Sequence, residues 1–120
     1  MKEILEKLEV FKPIKKDKMI ELAIPVILKI SNNCLFLKIT TTNDGYRILA
    51  DSENFERLNN VISFYYEKFE KQGHNPYDMQ CNNDCIFKNY KSDFSITVAI
   101  NEFIRFFIEF DNFISQNEYL

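Results

Sequence analysis

The chain of 120 residues is 46% hydrophobic and 28% charged, which suits one folded domain over residues 1–120 and excludes an intrinsically disordered chain. Its net charge of −3 mildly repels nucleic acid, and it lacks the run of ~20 apolar residues that a membrane span needs. Because its three cysteines follow no framework spacing and its N-terminus is charged, without a signal peptide, we expect a soluble, cytoplasmic protein with reduced thiols.

The spacing of apolar residues predicts a series of helices and strands separated by short turns. In chain order these are a helix over 2–9, a basic loop over 12–18, strands over 19–24, 34–41 and 46–50, a helix over 53–72, strands over 77–81 and 85–88, and a helix over 93–116. A weak helix is the alternative over 19–24, where the alternation of Ile20, Leu22 and Ile24 favours a strand. This order predicts the α+β class, with an antiparallel sheet of about five strands, two long helices packed on one face and a short N-terminal helix.

The most informative segment is a predicted hairpin followed directly by a helix. Asn43-Asp44-Gly45 predicts a tight hairpin turn, because these residue types adopt positive φ at low cost. Asp51 or Ser52 is expected to cap the helix that follows. Gly73 is expected to end that helix, and Ser92 to cap the last one.

Few residues suggest catalysis. The carboxylates around the hairpin and the helix start allow a metal site or an acid–base pair, but turn formation and capping explain them more simply. These carboxylates are Asp44, Asp51, Glu53 and Glu56. With only two glycines the chain has no glycine-rich phosphate loop. We therefore predict that the protein is not an enzyme and has no cofactor.

Two cysteines and the single histidine are the remaining candidates for a reactive or metal site. Cys81 and Cys85 flank a predicted turn, and His74 precedes them. This set reaches four zinc ligands only if Cys34 joins it, and its C-x3-C spacing is not the usual C-x2-C of a zinc site. A His–Cys nucleophilic pair is an alternative. The simpler interpretation is that the two cysteines face each other across a hairpin, so no metal or catalytic residue is predicted.

The predicted helix over 53–72 carries a basic strip with one aromatic residue, on the side away from its apolar stripe. The strip consists of Arg57, Phe64, Lys68 and Lys71. Such a strip can bind single-stranded nucleic acid, with the Lys12–Lys18 segment in support. A protein contact, or a solvated face with one exposed Phe, explains the same pattern.

The last helix has more aromatic residues than one sheet face is expected to cover. Phe106 and Phe113 stand beside its apolar stripe, next to Glu102 and Glu109. Phe106 and Phe113 are seven residues apart, as are Glu102 and Glu109. Both Phe therefore lie on one side of the helix. Candidate covers are the other long helix, a second copy of the chain in a homodimer, or a partner protein.

The segment from Ile39 to Leu58, with its Asn-Asp-Gly hairpin, resembles a family of small phage and bacterial proteins, domain of unknown function eighteen twenty-eight. The resemblance implies a hairpin whose second strand ends in acidic residues, then a helix, and an aromatic-rich closing helix, here Ile104-Arg105-Phe106-Phe107-Ile108. The hairpin and its acidic end are also similar to part of a small phage anti-CRISPR protein. That similarity implies an acidic surface that blocks the target-DNA site of a nuclease.

Together these observations predict a non-enzymatic protein-binding protein, a phage or mobile-element inhibitor of a host defence nuclease that acts by steric occlusion. The predicted contact residues are Phe106, Phe113, Glu102 and Glu109, with Asp44, Asp51, Glu53 and Glu56 as an acidic alternative. The alternative function is a nucleic-acid-binding accessory protein that uses Arg57, Phe64, Lys68 and Lys71. A small enzyme with a carboxylate or Cys–His site is the third hypothesis.

Overall fold

The computed structural model describes residues 13–16, 18–55, 62–73, 75–82 and 85–116. The predicted helix over 2–9 and the candidate residues Glu56, Arg57 and His74 lie outside the described residues. The described strands are β1 (Ile14–Lys16), β2 (Met19–Leu28), β3 (Asn33–Thr41), β4 (Gly45–Ala50), β5 (Gln80–Asn82) and β6 (Cys85–Lys91). The described helices are α1 (Ile62–Lys71) and α2 (Ile96–Gln116), and Ser52–Asn54 form a single 3-10 turn.

The strands form one antiparallel sheet in the order β1-β2-β3-β4-β6-β5. The predicted α+β class is confirmed, but the sheet has six strands rather than about five. The additional strand, β1, lies within the segment predicted as a basic loop. It is three residues long and pairs only with β2, at the sheet edge, where a strand needs no apolar alternation of its own.

Strand β2 continues to Leu28, beyond the predicted end at residue 24. The register with β3 shifts between Ile24 and Ile27, so Pro25 and Val26 form a bulge. Strand β1 pairs only with Met19–Glu21, which leaves this part of β2 at an edge. A proline is tolerated there because its missing N–H removes no bond between strands.

Alternation along the strands places one set of side chains in a single core with both helices. The sheet contributes Ile20, Leu22, Ile24, Leu28, Leu35, Leu37, Ile39, Tyr46, Ile48, Ala50, Ile86 and Tyr90. The helices contribute Ile62, Tyr65, Tyr66, Phe69, Ile96, Ala99, Ile100, Phe103, Phe106, Phe107, Phe110, Phe113 and Ile114. The predicted core face of β3, with Leu35, Leu37 and Ile39, is confirmed.

Several other helix and strand ends differ from the predictions, including that of β6, which ends at Lys91 rather than residue 88. Asp51 caps the 3-10 turn by accepting a bond from the backbone N–H of Glu53, but Phe55, at φ −130°, is not helical, so the helix does not begin at residue 53. Helix α2 begins at Ile96 rather than at residue 93, and the Ser95 hydroxyl, not that of Ser92, accepts from the backbone N–H of Val98. Strand β5 begins at Gln80 rather than residue 77. Gly73, at φ +75°, follows α1 as predicted.

Two buried polar side chains hold backbone segments against this core. Asn54 lies beside β3 beyond the end of its pairing with β4, where its amide group accepts from the N–H of Phe36 at 2.8 Å and donates to the carbonyl oxygen of Phe36 at 2.9 Å. Asp111 of α2 accepts from the backbone N–H groups of Lys29 and Ile30, both at 2.9 Å, in the turn after β2. Each side chain therefore replaces a missing backbone partner.

Candidate interaction surface

The second face of the sheet presents a continuous row of side chains across all six strands. Cross-strand pairing aligns the row from β1 through β2, β3, β4 and β6 to β5. Its members are Ile14, Glu21, Lys38, Leu49, Phe87 and Gln80. This row and its same-face neighbours Ala23, Phe36, Arg47 and Asn89 are called the open face, since each of them is half-buried or exposed.

The centre of the open face is apolar. Leu49 of β4 and Phe87 of β6 are direct cross-strand partners, and Phe36 of β3 lies on the same face. All three side chains are half-buried rather than covered. Solvated sheet faces usually carry polar residues at such positions, so this cluster departs from the usual pattern.

The charged group next to the apolar cluster is paired, since Lys38 is the cross-strand partner of Leu49 and bonds to carboxylates. Lys38 donates a hydrogen bond to Asp51, and its ammonium nitrogen lies 4.0 Å from a carboxylate oxygen of Glu53. The hydrogen bond with Asp51 raises the pKa of Lys38. Burial, followed by the negative charge of Asp51, raises the pKa of Glu53. Asp51 therefore both caps the 3-10 turn and forms an ion pair with Lys38.

The predicted cluster of hairpin carboxylates is not one site. Asp44 precedes β4 and Asp51 follows it, so the six residues of the strand separate the two by roughly 20 Å. Among those of the carboxylates that the structure describes, Asp51 and Glu53 share a partner, Lys38. Among the residues that the structure describes, no group of three or more His, Cys, Asp or Glu side chains could hold a metal ion.

Arg47, near the hairpin end of the open face, was not assigned to a site from the sequence. Its Nε–H donates to the side-chain oxygen of Asn89 at 2.7 Å, and its guanidinium carbon lies 4.9 Å from the centre of the Phe87 ring. The signal was available in the sequence, since Arg47 and Leu49 alternate with the core residues Tyr46, Ile48 and Ala50.

The prediction that Phe106 and Phe113 form an exposed contact surface was wrong. Phe106 is 0% exposed and Phe113 is 8% exposed. The cover is Phe69 of α1, whose ring centre lies 5.4 Å from that of Phe106 and 5.3 Å from that of Phe113. Of the three covers considered, the other helix of the same chain therefore accounts for both rings.

The two glutamates beside those rings have different surroundings. Glu102 accepts hydrogen bonds from Tyr90 at 2.9 Å and from Lys88 at 3.1 Å, and Lys88 also donates to the carbonyl oxygen of Tyr77 at 2.7 Å. Its carboxylate is thus occupied inside the chain and does not stand on a contact surface as predicted. Glu109 is exposed.

Alkaline pH is expected to destabilise the fold through Tyr46 and Tyr90. Burial, and then the charge of Glu102, raises the pKa of Tyr46 to about 12, and burial with the hydrogen bond to Glu102 raises the pKa of Tyr90. Both phenols ionise near pH 10 in the unfolded chain. Above that pH the unfolded state releases protons that the folded state keeps, so stability falls between about pH 10 and pH 12.

Urea unfolding at a series of pH values would check this expectation. Tyr90→Phe should flatten the loss of stability above about pH 10 relative to the wild type. Phe94, whose ring packs on that of Tyr90, offers a matched control, since Phe94→Leu removes ring contact but no titrating group. Equal pH dependence in the wild type and Tyr90→Phe would contradict the expectation.

The basic strip predicted on the first long helix is present in part. Phe64 is 49% exposed, and the ammonium of Lys68 lies 4.5 Å from the centre of its ring. Lys71 is exposed on the last turn of α1. The strip therefore brings together Phe64 and Lys68, one turn apart.

The prediction that Cys81 and Cys85 face each other across the hairpin was wrong. Cys81 is opposite Ile86, whereas Cys85 is opposite Asn82. Since side chains alternate between faces, Cys81 lies on the core side of the sheet and Cys85 on the open side. The structure shows all three cysteines as thiols.

Within the described part of the chain, neither helix combines the length and the apolar character required to cross a membrane. Comparison with protein-family models, with curated proteins and with solved structures found no match for this chain.

Proposed function

We propose that this chain is a non-enzymatic binding protein that docks a host protein on the open face of its sheet. The observation that carries the proposal is the apolar cluster of Phe36, Leu49 and Phe87 on a face where polar residues are usual. Protein interfaces commonly combine an aromatic centre and arginine with a charged rim. Arg47 beside Phe87, and Lys38 with its carboxylates beside Leu49, provide this composition.

The dimensions of the open face suit such an interface. Strands lie about 4.8 Å apart, so a sheet of six strands is about 24 Å across. A standard protein interface covers about 800 Å² of each partner, which corresponds to a square of about 28 Å.

For the partner we propose a nucleic-acid-processing defence enzyme of a bacterial host, which the protein, of phage or mobile-element origin, blocks in the cytoplasm by occlusion. The net charge of −3 and the exposed carboxylate of Glu53 beside the apolar cluster favour a basic surface on the partner. The resemblance to an anti-CRISPR protein that we expect from the hairpin sequence motivates the same partner class.

Capture from host lysate with tagged wild type and two matched variants would test the proposal. Phe87→Asp places a charge in the centre of the open face and should weaken partner binding by about 30-fold, the effect of a typical interface hot spot. Phe64→Asp changes an equally aromatic residue on α1, 49% exposed, and should leave binding unchanged. The captured protein should then lose its nucleic acid when the wild-type chain is added.

Two outcomes would contradict this proposal. One is that no protein is captured specifically by the wild type, and the other is that Phe87→Asp captures the same partner as strongly. A partner that keeps its nucleic acid in the complex would remove the occlusion mechanism while leaving the docking surface.

Single-stranded nucleic-acid binding through α1 is the second candidate, and the contact between Phe64 and Lys68 favours it. This candidate predicts affinity for single strands that falls steeply with salt. It also predicts that Phe64→Asp abolishes that affinity whereas Phe87→Asp does not. The two candidate functions thus predict opposite behaviour of the same pair of variants.

A further inference from the structure

A depression of about 450 Å³, lined by residues with polar groups, lies where the hairpin between β3 and β4 meets the end of β6. Arg47 and Lys91 bring positive charge to it, Asn89 brings an amide, and Asp44 is the one carboxylate among its lining residues. Neither the apolar cluster nor the paired charges around Lys38 form part of its lining. The depression therefore differs in its lining groups from both the apolar cluster and the paired charges around Lys38.

The Arg47 side chain is held in place before any ligand binds. Asn89 accepts from its Nε–H at 2.7 Å, and the ring of Phe87 lies against the guanidinium. Of the five N–H donors of a guanidinium, these contacts use one. Within the described residues, no carboxylate lies within ion-pair distance of Arg47. The terminal nitrogens are thus available to a ligand in the depression.

A guanidinium with its outer edge available matches two oxygens of a carboxylate or a phosphate. Fixing the side chain in advance reduces the entropy that binding would otherwise lose. Lys91 adds a second cation, whereas the Asp44 carboxylate opposes an anion at the same place. These opposing charges determine how each substitution should change affinity.

We propose that the depression around Arg47 is a binding site for a small oxyanion, a phosphate or a carboxylate, with the guanidinium as its principal donor. This site goes beyond the proposed docking role, because it requires no protein partner. Its test is therefore independent of whether a host protein is found.

Titration of inorganic pyrophosphate and of acetate, followed by amide chemical shifts at constant ionic strength, would test the site. We expect saturable shifts concentrated in residues 42–47 and 89–92 for at least one of the two anions. Comparing the two titrations shows whether the site takes phosphate or carboxylate. Constant ionic strength is needed because salt itself screens these interactions.

Substitutions should move the affinity in opposite directions. Arg47→Gln should weaken binding at least tenfold, since a charge-assisted bond contributes about 1.5–3 kcal/mol, and Arg47→Lys should also weaken it because lysine cannot bind two oxygens in one plane. Asp44→Asn should strengthen binding by removing a like charge. Arg105→Gln, on an exposed position of α2, should have no effect.

The proposal is overturned if neither anion gives saturable shifts around Arg47, or if Arg47→Gln binds as tightly as the wild type. It is equally overturned if Asp44→Asn fails to strengthen binding. The last variant keeps the test decisive even if the arginine substitutions were to disturb the fold.

Discussion

Gly45→Ala is expected to lower the free energy of unfolding by about 3 kcal/mol, a large effect for the addition of one methyl group. A Cβ atom at this position would lie 2.1 Å from the carbonyl oxygen of Tyr90 and 2.6 Å from the backbone nitrogen of Ser92. Both are backbone atoms at the end of β6, so relief requires the strands themselves to move. Urea unfolding of the variant beside the wild type would measure the loss.

Gly73→Ala is the matched control for this prediction. Nothing lies within 4 Å of a Cβ built there, but φ is +75°, which L-residues with side chains adopt at a cost of about 1–2 kcal/mol. The Gly45 variant should therefore be clearly less stable than the Gly73 variant. Equal losses would mean that the close approach of β4 to β6 is not what requires glycine at position 45.

At the hairpin, the sequence pattern predicted the correct position of the turn but for an incorrect physical reason. Asn43-Asp44-Gly45 correctly marked the turn between two antiparallel strands. The stated reason, positive φ, does not hold, since among the described residues positive φ occurs only at Asn32, Gly73 and Asp78. The need for Gly45 comes from β6, which is about 45 residues later in the chain. A local pattern contains no information about that strand.

The last helix shows a similar limit. Helical periodicity correctly identified a broad apolar stripe on α2. It could not show that Phe69 of α1 covers Phe106 and Phe113, so that a wider part of the α2 surface is buried. The width of a buried surface depends on which elements pack together, and that follows from the whole chain.

The open face could have been found from the sequence, because alternation that places Ile48 in the core also places Arg47 and Leu49 outside. What the pattern could not provide is the pairing that aligns Leu49 with Phe87. That pairing joins strands separated by a helix, and it determines which exposed residues become neighbours.

The burial of Asp111 could have been predicted from the sequence but was not. It lies one helical turn after Phe107 and beside Phe110, on the side of α2 that faces the core. A carboxylate in an apolar stripe is expected either to destabilise the fold or to have hydrogen-bond donors for its oxygens. The structure shows the second case, with Asp111 only 5% exposed and bonded to two backbone N–H groups.

Asp111→Ala is expected to lower the free energy of unfolding by about 3 kcal/mol, since hydrogen bonds to a charged group contribute about 1.5–3 kcal/mol each. The change removes both bonds and leaves the N–H groups of Lys29 and Ile30 without the acceptor they have in the folded chain. Because Ile30 is 0% exposed, water cannot readily replace that acceptor. Urea unfolding would measure the effect.

Asn112→Ala provides the control on the neighbouring position. Its side chain accepts only from the exposed ammonium of Lys29, at 3.3 Å, so its loss should change stability by no more than about 0.5 kcal/mol. Asp111→Asn should fall between the two, because an amide keeps one acceptor oxygen for two N–H groups. If Asp111→Ala were as stable as Asn112→Ala, the carboxylate would not be what fixes the turn after β2 to the last helix. In that case the turn would have to be held by the packing of Leu28 and Ile30, both 0% exposed, in the core.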